Sequence, residues 1–402
     1  MRPLLLAVLL LAAALAAPAQ EADALAQTRA RILKLLAERP EDATLYYYLA
    51  RVDAAKADAA ATTEDLRKAE KFGDGFLPPQ DAFAKVWNDP GFQEEYKRME
   101  AKLPRLDFAP IEVELQDREL VPEGIAYDAP SQSFFMGSIA KHKIVRIDHD
   151  GNVSEFVHEN AGMDSVLGVA VDSPRRILYA VSTSAITEAG RKDRRNAIYA
   201  YDIDNGRMLN RFNVPGAVGL NDVAVARGGR VFTTDSGSGA VYEVSTKADP
   251  KAWVQAGGLR GSNGLAASPD ATRLYVAHNT GLAVVDIVNG GVKQVNNTTR
   301  ENVSAIDGLY EWHGQLVGVQ NVTTPGRVIL ISLSSDGGTI TAVKTLLSHH
   351  HRSLSEPTTG VPTERGFFLL AATGTEHYNA QGKIDDPDGM PNPTILRVLM
   401  PR

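Results

Sequence analysis

Ser262-Asn263-Gly264-Leu265-Ala266 places an oxygen-bearing side chain before a glycine and an apolar pair, and the signature returns as Glu123-Gly124-Ile125-Ala126 and Asp307-Gly308-Leu309-Tyr310. Weaker copies fill the gaps: Leu167-Gly168-Val169-Ala170, Asn221-Asp222-Val223-Ala224 and Thr359-Gly360-Val361-Pro362. The six lead residues, at positions 123, 167, 221, 263, 307 and 359, stand 44, 54, 42, 44 and 52 residues apart. Periods of that length suit four-stranded propeller blades.

Working outward, the chain from Ile111 onward is a series of short β-branched runs broken by Gly, Asn and Asp turns. Hairpins are expected where Lys143–Ile147 turns at Asp150-Gly151, Ala197–Ile203 at Asn205-Gly206, Ala283–Val288 at Asn289-Gly290, and Arg327–Leu333 at Asp336-Gly337. A blade buries its faces only against its neighbours, so six must close into a ring. The ends of the chain then share one blade, with Ile111–Leu115 beside Thr394–Leu399.

The chain before this region has a different texture. Met1-Arg2-Pro3, the apolar run Leu4–Ala17 and the small residues around Pro18 read as a secretory signal over residues 1–19, which predicts export to the periplasm or the medium. Residues 20–105 are rich in Ala, Glu, Lys and Arg, with helical spacing at Ile32, Leu35 and Leu36 and again at Leu45, Leu49 and Val52. Breaks at Arg39-Pro40, Gly73-Asp74-Gly75 and Leu77-Pro78-Pro79 predict three or four helices. They loosely resemble a tetratricopeptide unit, packing material or a surface for a protein partner. The expected fold is therefore an all-β six-bladed β-propeller over residues 106–402, preceded by a small α-helical domain.

Composition removes several classes. The chain has no cysteine, so neither disulfides nor a lipid-modified cysteine is available. With 42 basic and 49 acidic residues its formal charge is −7, which argues against nucleic acid as a partner. Beyond the leader, no stretch approaches the roughly 20 apolar residues of a membrane-spanning helix. No Gly-x-Ser-x-Gly elbow and no phosphate-cradling Gly-Lys loop occurs, which lowers the standing of serine-hydrolase and nucleotide chemistry.

Equivalent positions on inner strands face one axis, so the repeat also predicts a site. Its lead residues include Glu123, Asn221, Asn263 and Asp307, two carboxylates and two amides with no sulfur or imidazole among them. Such a hard-oxygen set suits Ca²⁺, with Mg²⁺, Mn²⁺ or Zn²⁺ as alternatives. Taken singly, each could instead be a turn-favouring residue at a strand start. Two carboxylates gathered on an axis without a cation would be costly, which favours a metal.

Pro122-Glu123-Gly124, Ser262-Asn263-Gly264-Leu265-Ala266 and Ile306-Asp307-Gly308 resemble the metal-binding motifs of the SMP-30/gluconolactonase/luciferin-regenerating-enzyme-like propellers. The resemblance covers roughly residues 119–400. It implies a calcium-dependent lactonase or esterase acting on a small lactone or ester. Glu123, Asn263 and Asp307 would be ligands, Asp307 also the candidate general base, and Asn221 a ligand or a substrate-binding amide. Asp222 and His278 are further substrate-binding candidates. The family's sugar lactonases carry an arginine two positions before that asparagine, where this chain has Gly219, so sugar recognition does not carry over. Strictosidine-synthase-like and paraoxonase-like enzymes share the shape. The competing reading is a non-catalytic binding module with a structural calcium, its helical region docking a protein partner.

Other signals read more plainly. His349-His350-His351 is expected in a solvated loop, and Asp148, Asp150 and Gly151 in a hairpin turn, as are Asp385–Gly389. His377 reads as structural. The polar insertion Ala185–Arg195 is expected to be a solvated loop at one end of the ring.

Overall fold

The computed structural model describes residues 18–187, 194–245, 248–379 and 381–401. Residues 1–17 of the proposed leader and most of the Ala185–Arg195 insertion lie outside the described residues.

Six sheets, antiparallel but for one parallel edge pair, succeed one another along the chain, and their inner strands are Pro122–Asp128, Ser165–Asp172, Leu220–Val225, Leu265–Ala267, Ile306–Trp312 and Gly360–Thr363. They define blades 1 to 6. Blade 6 is completed by the earliest strand: Ile111–Glu114 pairs with Thr394–Val398, with Ile111 opposite Leu396 and Glu114 opposite Thr394. This closure, expected from the sequence, hydrogen-bonds the edge strand that an open ring would leave exposed. The four predicted hairpins form, at the outer edge of blades 1, 2 and 4 and one strand in from it in blade 5, where Asn296–Asn297 adds outside, with Gly151, Gly206, Gly290 and Gly337 in the left-handed region that their turns require.

Apolar side chains on alternate strand positions fill the wedges between blades. Phe135 of blade 1 packs with Val166, Tyr199 and Tyr201 of blade 2, and Phe232 of blade 3 with Leu274 and Val285 of blade 4. Phe135 and Phe232 are fully buried, each contributing about 1.5–3 kcal/mol relative to exposure.

Among the described residues four helices precede the ring: α1 (Pro18–Glu38), α2 (Ala43–Ala55), α3 (Ala59–Phe72) and α4 (Pro90–Glu100). Asp42, Asp58 and Asp89 cap the last three, each accepting a backbone N–H from the first turn. The break between α2 and α3 has no Gly or Pro to announce it. Ala57 takes φ 60° there, and Asp58 caps α3. The likeness to a tetratricopeptide unit is not confirmed. The helices and the segment after α3 form one core around Tyr47, Leu66, Leu77, Phe83 and Phe92, against which Val322 of the propeller packs. No helix among the described residues is long and apolar enough to cross a membrane.

The helical region sits on loops at one end of the ring. Tyr48 Oη donates to Asn279 O at 2.9 Å, Arg51 Nη1 to Val322 O at 3.0 Å, and the Leu77 N–H to Thr323 O at 3.0 Å. Asp74 exchanges backbone hydrogen bonds with the segment entering blade 5, taking one from Asn302 and giving one to Arg300. These loops adjoin the lead residues of the repeat, so the helices stand beside the mouth where those residues gather.

Candidate metal centre at the channel mouth

In blades 1, 2, 3 and 5 the pairing between the first two strands is interrupted at the repeat signature: between Pro122 and Ile125, Val166 and Val169, Leu220 and Val223, and Ile306 and Leu309. Each interruption leaves the lead residue and its successor outside the ladder, the bulge geometry that re-aims a side chain. The glycines have a steric cause. A Cβ on Gly124 would lie 2.2 Å from Leu167 O, and one on Gly264 would lie 2.5 Å from Asp307 O. Backbones of neighbouring blades touch there, and only hydrogen fits.

Two side-chain amides converge on Asp307. Asn263 Nδ2 donates to Asp307 Oδ1 at 2.7 Å and Asn321 Nδ2 to Asp307 Oδ2 at 2.7 Å. Asn321 also donates to Pro357 O at 3.0 Å. Glu123 is buried, its backbone carbonyl held by the hydroxyls of Thr358 and Thr359. Thr359, the sixth lead residue, therefore acts on the backbone of blade 1. Leu167 supplies the ring with no donor.

The electrostatics are those of an uncompensated acidic pocket. Burial raises Glu123 well above the ordinary carboxylate range, and the charges of Asp307 and Asp222 raise it further. Asp222, also buried, is pushed up to about 7, chiefly by burial, although the backbone N–H groups of Val223 and Leu265 lower it in part. Asp307 is pushed up to about 6 by burial against the lowering effect of the Asn321 and Asn263 amides. Among the described residues none of these three carboxylates makes an ion pair with a lysine or arginine.

At the mouth, three buried side-chain acceptors among the described residues have no hydrogen-bond donor: Glu123 Oε2, Asn221 Oδ1 and Asn321 Oδ1. Orphaned oxygens around three unpaired carboxylates fit a hard divalent cation, which would relieve both deficits. Glu123, Asn221, Asn321 and Asp307 are the residues that would hold it, with Asn263 bracing Asp307.

The sequence-predicted residues divide accordingly. Glu123, Asn221, Asp222, Asn263 and Asp307 are brought to the ring. His278 is placed elsewhere: its Nε2 meets Gln294 Oε1 at 2.7 Å, and it lines a groove of about 400 Å³ between blade 4 and helices α1 and α2. The last residue of its strand, it points to the helical side, so the substrate-binding role expected for it gains no geometric support. Two mouth residues carry no mark in the repeat. Asn321 comes directly after the second strand of blade 5, Gln315–Gln320, whereas the repeat signature lies on first strands. Its signal is a Gln-Asn pair ending an apolar strand. Glu356 takes φ 48° before Pro357 and is pushed up to about 8 by burial and by Asp81, Glu376 and Asp307, with Arg51 opposing. Asp81 and Arg51 belong to the helical region, which thus reaches the same mouth.

The chain, with its bulged, glycine-spaced ring of oxygen donors, can be set beside known proteins. Residues 121–285 match the family model of the SMP-30/Gluconolactonase/LRE-like region. Asp307 and Asn321 lie beyond the matched stretch. No curated protein matches the chain in sequence. Among solved structures it is similar to the Malassezia sympodialis allergen Mala s 1 (16% identity, 72% of this chain and 96% of that one, TM-score 0.57). It is also similar to the PQQ-bound aldose sugar dehydrogenase of Streptomyces coelicolor (16%, 74% and 99%, 0.51). The gluconolactonase XC5397 of Xanthomonas campestris aligns at 16% identity over 74% of this chain and 91% of that one, TM-score 0.48. At such identities the likeness is one of fold.

Proposed function

We propose that the protein is an exported, calcium-class metal-dependent hydrolase of a small lactone or ester. The observation that carries this reading is the set of donorless buried oxygens, Glu123 Oε2, Asn221 Oδ1 and Asn321 Oδ1, beside the Asp307 carboxylate. The family match over residues 121–285 supports it, as does the leader-like sequence of residues 1–19 for export.

When bound, a divalent ion supplies Lewis acidity toward a carbonyl oxygen. The residues do the rest. Asp307, held by two amide donors, is the general base, its carboxylate made more basic by burial. The amides of Asn263 and Asn321 fix its orientation and hold its charge in place. Asn221 and Asp222, buried on blade 3, flank the position a substrate would take. Glu356, Asp81 and Arg51 line its rim, and the helical region shelters it from the side of blades 4 and 5.

The test is a panel of lactones and aryl esters assayed on chelated protein, then with calcium restored, with Asp307→Asn alongside. Calcium-dependent turnover that Asp307→Asn lowers by about 10²–10⁴-fold is expected. Turnover that neither chelation nor Asp307→Asn changes would overturn the proposal.

A further inference from the structure

The histidine run expected in a solvated loop is packed against the helical region. His349 is only 12% exposed at its side chain and faces Glu100, the last residue of α4. His351 is buried, donating from Nε2 to Ala109 O at 3.0 Å and accepting the Ser353 N–H at Nδ1. Both of its ring nitrogens are engaged, which leaves His349 and His350 for other chemistry.

One ligand-capable atom from each of Glu100, His349 and His350 lies within 4.8 Å of the others, and all three residues are half-buried. We propose that these three form a second metal site, for a zinc-class first-row ion, which ties the C-terminal end of α4 to the connection between blades 5 and 6. His349 Nε2 stands 3.4 Å from Glu100 Oε1. That is long for a charge-assisted hydrogen bond; His158 and Glu155 on the surface meet at 2.8 Å. It is the separation of two ligands that each sit about 2.1 Å from a tetrahedral ion. Two imidazoles and a carboxylate select zinc, cobalt or nickel over calcium, the reverse of the channel set.

The surroundings orient these ligands. Ser348 Oγ is 2.9 Å from His350 Nδ1 and accepts the Leu106 N–H at 3.0 Å, so the ring is held by a group anchored to the segment just after α4. An outer partner of this kind fixes a ligating imidazole. Glu100 makes no ion pair with a lysine or arginine among the described residues. An ion here would fasten the C-terminal end of α4 to the propeller through the connection between blades 5 and 6.

The experiment uses full-length, tag-free protein with Co²⁺ as a visible probe, in excess Ca²⁺ to occupy the channel site. The expected result is one Co²⁺ per chain with d–d absorption, displaced by Zn²⁺, and a thermal midpoint raised by Zn²⁺. Glu100→Gln and His350→Gln should each weaken Co²⁺ binding at least tenfold, and Ser348→Ala by about 10–100-fold, while Asp307→Asn leaves it unchanged. Ser348→Ala keeps all three ligands, so it stays informative should a ligand variant fail to fold. Absence of bound Co²⁺, or Co²⁺ binding that survives Glu100→Gln and His350→Gln undiminished, would overturn the proposal.

Discussion

Replacing Gly264 with alanine tests the idea that blade-to-blade contact sets the metal-site geometry. The added Cβ would stand 2.4 Å from Leu309 N and 2.5 Å from Asp307 O, where ordinary contact begins at 3.4 Å. Both neighbours are backbone, so blades 4 and 5 must separate locally by about 1 Å, and Asp307 moves with its strand. Gly264 is outside the left-handed region, so the effect is steric rather than conformational. Overpacking of this kind costs about 1–3 kcal/mol. A displacement of about 1 Å at the reacting centre lowers turnover by roughly 100-fold. Thermal melts with and without calcium, together with kcat on the best substrate of the panel, read both effects. Gly91→Ala on the first turn of α4, where the nearest atom is 3.3 Å away, serves as a control of small effect. Wild-type calcium affinity and turnover in Gly264→Ala would refute the reasoning.

The same geometry sets three more outcomes. The folded values of Asp307 and Asp222, about 6 and about 7, lie above the ordinary carboxylate value, so protons stabilise the metal-free native state. That contribution is complete below about pH 4 and is lost as pH rises through 6 and 7; for Asp222 it is on the order of 4 kcal/mol. Melts of chelated protein should therefore show this loss, with calcium stabilisation growing over the same interval; a calcium effect independent of pH between about 5 and 8 would count against it. Arg51→Met removes the hydrogen bond to Val322 O beside Asn321 and should weaken calcium binding several-fold with the helical content unchanged by circular dichroism. Asn321→Leu removes a donor from Asp307 and one of the orphaned oxygens, so calorimetry should show at least a tenfold loss of calcium affinity.

The ring was legible because its cause is local and repeated. A bulge that turns a donor inward must be succeeded by a residue small enough for the next blade, and that couples Glu123 to Gly124, Asn263 to Gly264 and Asp307 to Gly308 in the sequence itself. Asn221-Asp222 shows the limit: the second position is a carboxylate packed against Gly168, a pairing across blades that no local pattern announces. Asn321 and Glu356 were not legible for a related reason. Their place at the mouth depends on how the second strand of blade 5 and the next connection end in space. The direction of His278 was not legible either, since the end of a strand does not reveal which side of the loop its side chain takes. The histidine run reads as polar loop because its burial comes from a helix some 250 residues earlier in the chain, Glu100 with His349. The role of the helices at the mouth was hidden likewise, because Arg51 and Tyr48 meet the propeller through its backbone carbonyls, which carry no sequence signature.

The central claim is that the buried oxygens of Glu123, Asn221, Asn321 and Asp307 exist to hold one hard divalent ion. Calorimetric titration of calcium into chelated full-length protein tests this most directly, with Glu123→Gln measured in parallel. One calcium per chain, bound at least tenfold more weakly by Glu123→Gln, is the predicted result. No calcium binding by the wild type, or binding of equal strength in Glu123→Gln, would contradict the account.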